Sequence, residues 1–360
     1  MPRMSLVKIE ARDVRNIEYA AIEPSPHLNF VVGPNASGKT SLLEAVYLLG
    51  RARSFRTSQI SQVIRFGQSG LMVTGKVVNE TGSAIPIGVR ITRGEREIHL
   101  EGRKIQSSAE LIGAFPVLVI QPSSSTLLEG APKYRRQFLD WGVFHFEKSY
   151  LDCWRRYVRA LSQRNTLLRE KRLGDIELWN REVARYGTII SSARDRYAEK
   201  LKPFFLRSAA QFFEGFEFEL HLQSGWSKNK TLEAALQEDV ASDIRLGYTQ
   251  SGPHKADFSI SLEGRPARAY LSRGQMKLLV YSLLLAQALL MEESVGGSAC
   301  VLIDDIASEL DEHNKNRLLG LLREHPTQFF ITATADRIIR DAVDHDAAVF
   351  HVEHGQVTQA

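Results

Sequence analysis

The segment Gly33-Pro-Asn-Ala-Ser-Gly38-Lys39-Thr40 constrains the chain more than any other. It satisfies G-x-x-x-x-G-K-[ST] in full. Before it, "LNFVV" (28–32) reads as a buried strand; after it, "TSLLEAVYLLG" (40–50) reads as an amphipathic helix ending on Gly50. Strand, glycine-bounded loop and helix in this order curl backbone N–H groups toward one point at a helix N-terminus, where an anion is favoured. The nucleotide contacts expected are therefore Gly33, Pro34, Asn35, Ala36, Ser37, Gly38, Lys39, Thr40 and Ser41. Lys39 would reach the β- and γ-phosphates, and the Thr40 hydroxyl would hold Mg²⁺. Average residue frequencies produce such a match by accident in roughly 1% of chains this long, and the flanking strand and helix lower that further.

A phosphate loop needs an acidic residue at the end of a neighbouring strand. "ACVLIDDIASELDEH" (299–313) places Asp304 and Asp305 at the C-terminal edge of an apolar strand. Asp304 would contact Mg²⁺ through water, and Asp305 would orient or deprotonate the attacking water. Before this strand in the chain stands "LSRGQMKLLVYSLLLAQ" (271–287), where Ser-x-Gly-Gln opens a long helix. This resembles the ATP-binding-cassette signature, so ATP is the nucleotide expected. "SELD" (308–311), ending on Asp311, resembles the D-loop of that superfamily, and Gln121 follows the apolar "VLVI" where a Q-loop glutamine belongs, near the metal.

The cassette resemblance implies a mechanism. Ser272, Gly274 and Gln275 would meet the γ-phosphate held by a second copy, giving a two-fold dimer with ATP between the heads. Nucleotide then shifts a monomer–dimer equilibrium and hydrolysis reverses it. Arg273 replaces the first signature glycine; it either stabilises charge at the partner's phosphate or pairs with a nearby carboxylate. Asp305 stands where many cassette ATPases have Glu, and "QFFITATADR" (328–337) has Thr332 and Thr334 in place of a switch histidine. Slow turnover is expected.

Bulk properties exclude more than they assign. The chain has 360 residues, 43% hydrophobic and 24% charged, with two cysteines, Cys153 and Cys300. That is globular composition without a disulfide framework, fitting a cytoplasmic protein. The N-terminus lacks a secretory pattern. The apolar run "LLVYSLLLAQALLM" (278–291) is shorter than the roughly 18 residues a spanning helix needs, so a core helix and no membrane partner are expected. A net charge of +4 and a pI near 9.0 lean toward an anionic partner.

Between the two nucleotide-binding halves the pattern changes. Leu151, Trp154, Val158, Leu161, Asn165 and Leu168 recur at steps of three and four, as do Trp179, Val183, Tyr186, Ile190, Ala193 and Tyr197. The reading is an antiparallel hairpin with arms of about 20 residues, roughly 30 Å each. Pro203 is expected to break the second arm, and "FEFELHL" (216–222) alternates like a strand. Arg155, Arg156, Arg159 and Arg164, with Arg135 and Arg136 just before, form a basic cluster that suits DNA phosphates or a solvated helix face. Arg51, Arg53 and Arg56 are open to the same two readings. Three segments follow: 1–132 and 241–360 as an α/β P-loop ABC-type ATPase head with a mixed sheet, and 133–240 as an inserted, mostly helical lobe.

"VRNIEYA", "GPNASGKTSLLEAVYLLGRARSFRT", "KYRRQFLDWGVFH", "QRNTLLR", "SGPHKADFSI", "LSRGQ" and "IDDIASELD" occur in an order similar to the bacterial RecF family, across nearly the whole chain. The Asp-Asp pair and the signature arginine are usual there. The resemblance implies a cytoplasmic, weakly ATP-hydrolysing recombination mediator that dimerises with ATP and binds single-stranded and gapped or junction DNA. It also implies cooperation with RecR and RecO in loading RecA, in repair, replication restart and the SOS response. Alternatives are a DNA scaffold switched by ATP occupancy with incidental hydrolysis, and the ATPase subunit of another ABC-type machine. In "GPHKAD" (252–257), His254 and Asp257 suggest either a metal pair or a turn into the following strand.

Overall fold

Burial along the strands separates two kinds of sheet. In β1 (Ser5–Val14) buried and exposed positions interleave, as in an antiparallel sheet with one wet face. After β2 (Ile17–Ile22), β3 (Leu28–Val32) is buried at every position, as a strand covered on both faces must be. The computed structural model describes residues 4–79, 81–295, 298–305, 310–334 and 347–359.

From β3 the chain enters α1 (Lys39–Arg51), then β4 (Gly70–Val78), β5 (Ala84–Thr92), β6 (Arg96–Leu100), β7 (Arg103–Ile105), α2 (Ser108–Ala114) and β8 (Val117–Ile120). There follow α3 (Thr126–Glu129), α4 (Pro132–Phe146), α5 (Tyr150–Glu170), α6 (Ile176–Ala210), β9 (Phe218–Gln223), α7 (Leu232–Glu238), α8 (Val240–Leu246), β10 (Asp257–Leu262), β11 (Arg265–Pro266) and α9 (Ala267–Tyr270). The described chain ends with α10 (Arg273–Val295), β12 (Cys300–Ile303), α11 (Glu312–Glu324), β13 (Phe329–Ala333), β14 (Ala348–Glu353) and β15 (Gln356–Gln359).

These elements form two compact units, 1–124 with 283–360, and 125–282. In the first, an antiparallel sheet of order β2-β1-β4-β5-β6-β7 faces a mixed sheet of order β15-β14-β3-β13-β12-β8. Among the described residues of the mixed sheet only the β14–β15 pairing is antiparallel. Helix α1 lies between the sheets. Its Leu42, Val46 and Leu49 share one core with Ile9, Val73 and Val89 of the first sheet and with Val31, Leu302 and Phe330 of the second. Gly50 does not end this helix, which continues to Arg51 before Ala52 turns left-handed. A Cβ on Gly50 would sit 2.4 Å from Val117 Cγ2, so glycine there sets how closely α1 approaches β8. The fold is the expected α/β ATPase head with a mixed sheet.

The second unit holds the hairpin of α5 and α6 and a three-stranded antiparallel sheet, β11-β10-β9. The expected boundary at 240/241 falls inside this unit, because β9 finds its partner in β10, with Phe258 opposite Leu222. Three other expectations need correction. The buried stripe of α5 is Tyr157, Ala160, Arg164 and Leu168, whereas Val158 is 45% exposed, so the helix is rotated by about one residue from the apolar reading. Helix α6 has 35 residues, not about 20, and passes through Pro203. It continues because Leu201, Phe205, Ser208 and Ala209 prolong its buried stripe. Pro203 and Glu199 are both exposed, so the carbonyl that proline leaves without an amide partner faces water rather than the core. Helix α10 is long and apolar enough to cross a membrane, but most of it is buried within the protein.

Candidate nucleotide site

The carboxyl ends of β3, β8, β12 and β13 lie side by side in the mixed sheet, and side chains for phosphate chemistry converge there. Gly33 and Gly38 have φ of 154° and 124°. A Cβ on Gly33 would sit 2.1 Å from Val352 O, so no side chain fits where the loop turns. Lys39 Nζ donates to Gly33 O and Pro34 O at 2.7 and 2.8 Å, which folds the ammonium over its own loop. Burial draws the Lys39 pKa down, and the nearby Asp305 and Asp304 carboxylates partly restore it.

Thr40 and Asp304 meet although 264 residues separate them. The Thr40 hydroxyl lies 3.0 and 3.1 Å from the two Asp304 oxygens, and Thr332 Oγ1 donates to Asp304 Oδ1 at 2.9 Å. Asp304 is 8% exposed. Burial raises its pKa, and the hydroxyl bonds from Thr332 and Thr40 oppose that rise. Asp305 has φ of 57° and donates its amide to Thr332 Oγ1 at 2.6 Å. Thr332, expected as a missing switch histidine, thus braces both acidic residues. Gln121 follows β8, whose Ile120 pairs with Ile303 and accepts the Asp304 amide at 2.8 Å. Gln121 and Asp304 therefore leave neighbouring strands at the same edge.

The residues fit a nucleotide and Mg²⁺. Ser37 Oγ is buried without a hydrogen-bond partner among the described residues and sits inside the loop, where a phosphate oxygen would satisfy it. Thr40, Asp304 and Gln121 supply hard oxygen donors, the set Mg²⁺ prefers. Bound there, the ion would neutralise charge on the phosphates.

Sequence reasoning missed the clamp behind the loop. Asn16, in the turn between β1 and β2, donates to Ser37 O at 3.0 Å and accepts from Ser41 Oγ at 2.7 Å. The Gly355 amide reaches Ser37 O at 2.8 Å. Glu44, fully buried on α1, takes two bonds from Arg15 at 2.8 and 3.0 Å and one from Ser54. Arg56 stands 3.9 Å from the same carboxylate. A cleft of about 640 Å³ adjoins the loop through Asn16 and is also lined by Gln62, Ile64 and Phe66.

In the second unit, Ser272 and Gln275 form a reciprocal cap at the start of α10. The Ser272 amide donates to Gln275 Oε1 at 2.9 Å, and the Gln275 amide donates to Ser272 Oγ at 3.2 Å. Ser272, Arg273 and Gly274 are all exposed. Asp311 is the N-cap of α11, accepting from the Asn314 amide at 2.8 Å; this bond chiefly holds its pKa below the usual carboxylate value. Ser308 and Glu309 of the D-loop motif lie outside the described residues.

A model of the RecF/RecN/SMC N-terminal domain matches residues 5–358. The DNA replication and repair protein RecF of Pseudomonas paraeruginosa is 40% identical over 99% of this chain and 98% of its own; that of Pseudomonas putida GB-1 is 41% identical over the same shares. The chain belongs to the RecF family. A solved structure of the recombination mediator protein RecF with ATP, in the RecFOR pathway, superposes with a TM-score of 0.87 at 29% identity, covering 99% of this chain and 98% of that one. The head of a Pyrococcus yayanosii Smc protein, at 15% identity and a TM-score of 0.63, shares the fold.

Membership in the RecF family does not make every basic residue a DNA contact. Arg164 is fully buried: it bonds Asp243 and Thr249 at 2.7 Å each and Asn180 at 2.6 Å. Arg164 therefore does not meet DNA, since its helix face points into the unit. Arg135 is likewise taken up, forking onto Asp257 at 2.6 and 3.0 Å. Arg136 donates to Ala256 O at 2.9 Å, and burial first, then the Arg194 charge, depresses its pKa. Arg155, Arg156 and Arg159 remain exposed.

The loop 252–257 is the knot that uses these groups. His254 Nε2 donates to Thr249 O at 3.0 Å, so its Nδ1 accepts from Tyr157 Oη at 2.5 Å. Arg194 donates to Pro253 O at 2.7 Å. With His254 and Asp257 both committed, the metal-pair reading falls; among the described residues no group of three or more His, Cys, Asp or Glu could hold a metal.

Proposed function

We propose that the protein is a slow, Mg²⁺-dependent ATPase that uses ATP to join two copies of itself on DNA. The observation that carries this is the Thr40–Asp304 contact beside Lys39 and the unpartnered Ser37 hydroxyl, the equipment for holding a triphosphate. Asp305, held by Thr332, would orient the attacking water, and its short side chain accounts for slow turnover.

Ser272, Arg273 and Gly274 are exposed at the N-terminus of a 23-residue helix, where amide groups favour an anion. A γ-phosphate bound by a second copy would meet them, so each dimer would contain two composite sites. The ATP-bound relative is a recombination mediator of the RecFOR pathway. By that relationship the chain would act in the cytoplasm on single-stranded, gapped or junction DNA, with RecR and RecO, to help load RecA in repair, replication restart and the SOS response.

The test is Asp305→Asn. A hydrolysis timer predicts unchanged ATP binding, hydrolysis reduced at least about 100-fold (~2.7 kcal/mol) and a longer-lived DNA complex. Unchanged DNA residence time would favour the occupancy-switched scaffold.

A further inference from the structure

Arg164 on the buried side of α5 is spent on internal bonds, but α6 carries a basic stripe facing outward. Arg181, Arg185, Thr188, Ser192 and Arg196 line a groove of about 550 Å³ closed on its far side by Thr231, which precedes α7. Their spacing places them along one face of α6, and Arg181 to Arg196 covers roughly 22 Å of helix. We propose that this groove binds the phosphodiester backbone of a DNA strand, an inference that rests on the DNA-binding reading above.

Three observations point to phosphate. The groove combines guanidinium groups with hydroxyls, the side chains that contact nucleic-acid backbones, and has one carboxylate, Glu233, in its lining. Arg185 is exposed and lies 5.4 Å from the centre of the Tyr186 ring, while Arg156 of α5 approaches the same ring at 5.8 Å and donates to its hydroxyl at 3.2 Å. Two like charges are thereby fixed around one aromatic ring, extending the basic surface from α6 onto α5. The acidic neighbours leave the Arg181–Arg185 part of the stripe open to a ligand. Arg181 and Glu177 stand 3.8 Å apart with side chains 70% and 78% exposed, a pair of little net strength that a phosphate can replace. Arg196 holds Glu147 at 2.8 Å and forms one end of the stripe.

The contacts fall on phosphates, so the groove should grip without reading sequence. The test compares wild type with Arg181→Glu/Arg185→Glu, leaving Arg196 on Glu147, using labelled oligo-dT and a mixed-sequence duplex at several salt concentrations. The expected result is at least about tenfold weaker binding of the strand form that occupies the groove, and a salt slope shallower by about 1.4 on oligo-dT. ATP-analogue binding and the thermal midpoint should stay at wild-type values. Arg181→Gln/Arg185→Gln repeats the test should the reversal disturb folding, and Arg181→Lys/Arg185→Lys should restore most of the affinity. Equal affinity and slope on both DNAs, with wild type binding normally, would overturn the groove and leave the DNA-binding reading intact. Failure of wild type to bind either DNA would overturn that reading and the groove with it.

Discussion

The two units of this molecule handle charge in opposite ways. In the nucleotide site, Lys39, Asp304 and Asp305 are gathered at one edge of a sheet, with Asp304 desolvated and its pKa raised. In the helical unit, Arg164, Arg194 and Arg135 are matched by Asp243, Asp140 and Asp257 and close the structure upon itself. A charge that burial leaves under tension is available for a ligand. A charge satisfied by an internal carboxylate is part of the scaffold, whatever its density suggests.

The contrast breaks most readily at Arg164. Arg164→Ala leaves Asp243 buried and unpaired, so denaturant unfolding should show a loss of about 3–5 kcal/mol. Arg159→Ala, five residues earlier and exposed, should stay within about 0.5 kcal/mol. Similar values for the two would contradict the division between scaffold and surface.

Asp304→Asn should have the reverse signature: function lost, stability gained. Hydrolysis should drop at least about 100-fold (~2.7 kcal/mol), while nucleotide-free protein gains on the order of 1 kcal/mol near pH 7.5. The folded pKa lies above the unfolded value of 3.8. The native state therefore binds the extra proton, and stability falls as pH rises through that window. The gain in the variant should fade as pH falls toward 4; a gain independent of pH would show that desolvation of the carboxylate is not its source.

Asn16→Ala removes two bonds from the back of the phosphate loop, and calorimetry should show ATP-analogue affinity roughly tenfold lower. Unchanged affinity would mean that the loop holds its shape without the clamp. The smallest effect is expected at His254, whose pKa burial lowers from 6.5. Here the unfolded state binds the extra proton, so this group's contribution to stability is present above pH 6.5 and lost as pH falls through the folded value. His254→Gln should flatten that part of the pH–stability curve.

Much of the nucleotide site was legible because its chemistry is local. Residues 33–41 form a continuous motif between a strand and a helix, and Asp304-Asp305 ends an apolar run. Asn16 is not legible as a site residue, and Thr332 stands out only as the lack of a switch histidine, since each acts through contacts made by folding: Asn16 reaches Ser37 across 21 positions and Thr332 reaches Asp304 across 28. The helical unit departs from its apolar pattern in register and length for a related reason. Apolar periodicity cannot register a buried arginine such as Arg164, nor foresee that α6 outlasts Pro203 when its buried stripe continues beyond it.

In the proposed function, nucleotide joins two copies through a phosphate loop on one and a signature on the other. Light scattering should be measured without nucleotide and then with Mg²⁺ and a non-hydrolysable ATP analogue, beside Lys39→Ala and Ser272→Arg. The account predicts a rise from monomer to dimer mass with the analogue, absent in both variants, although Ser272→Arg still binds nucleotide. A wild-type chain that binds the analogue and keeps monomer mass would contradict it.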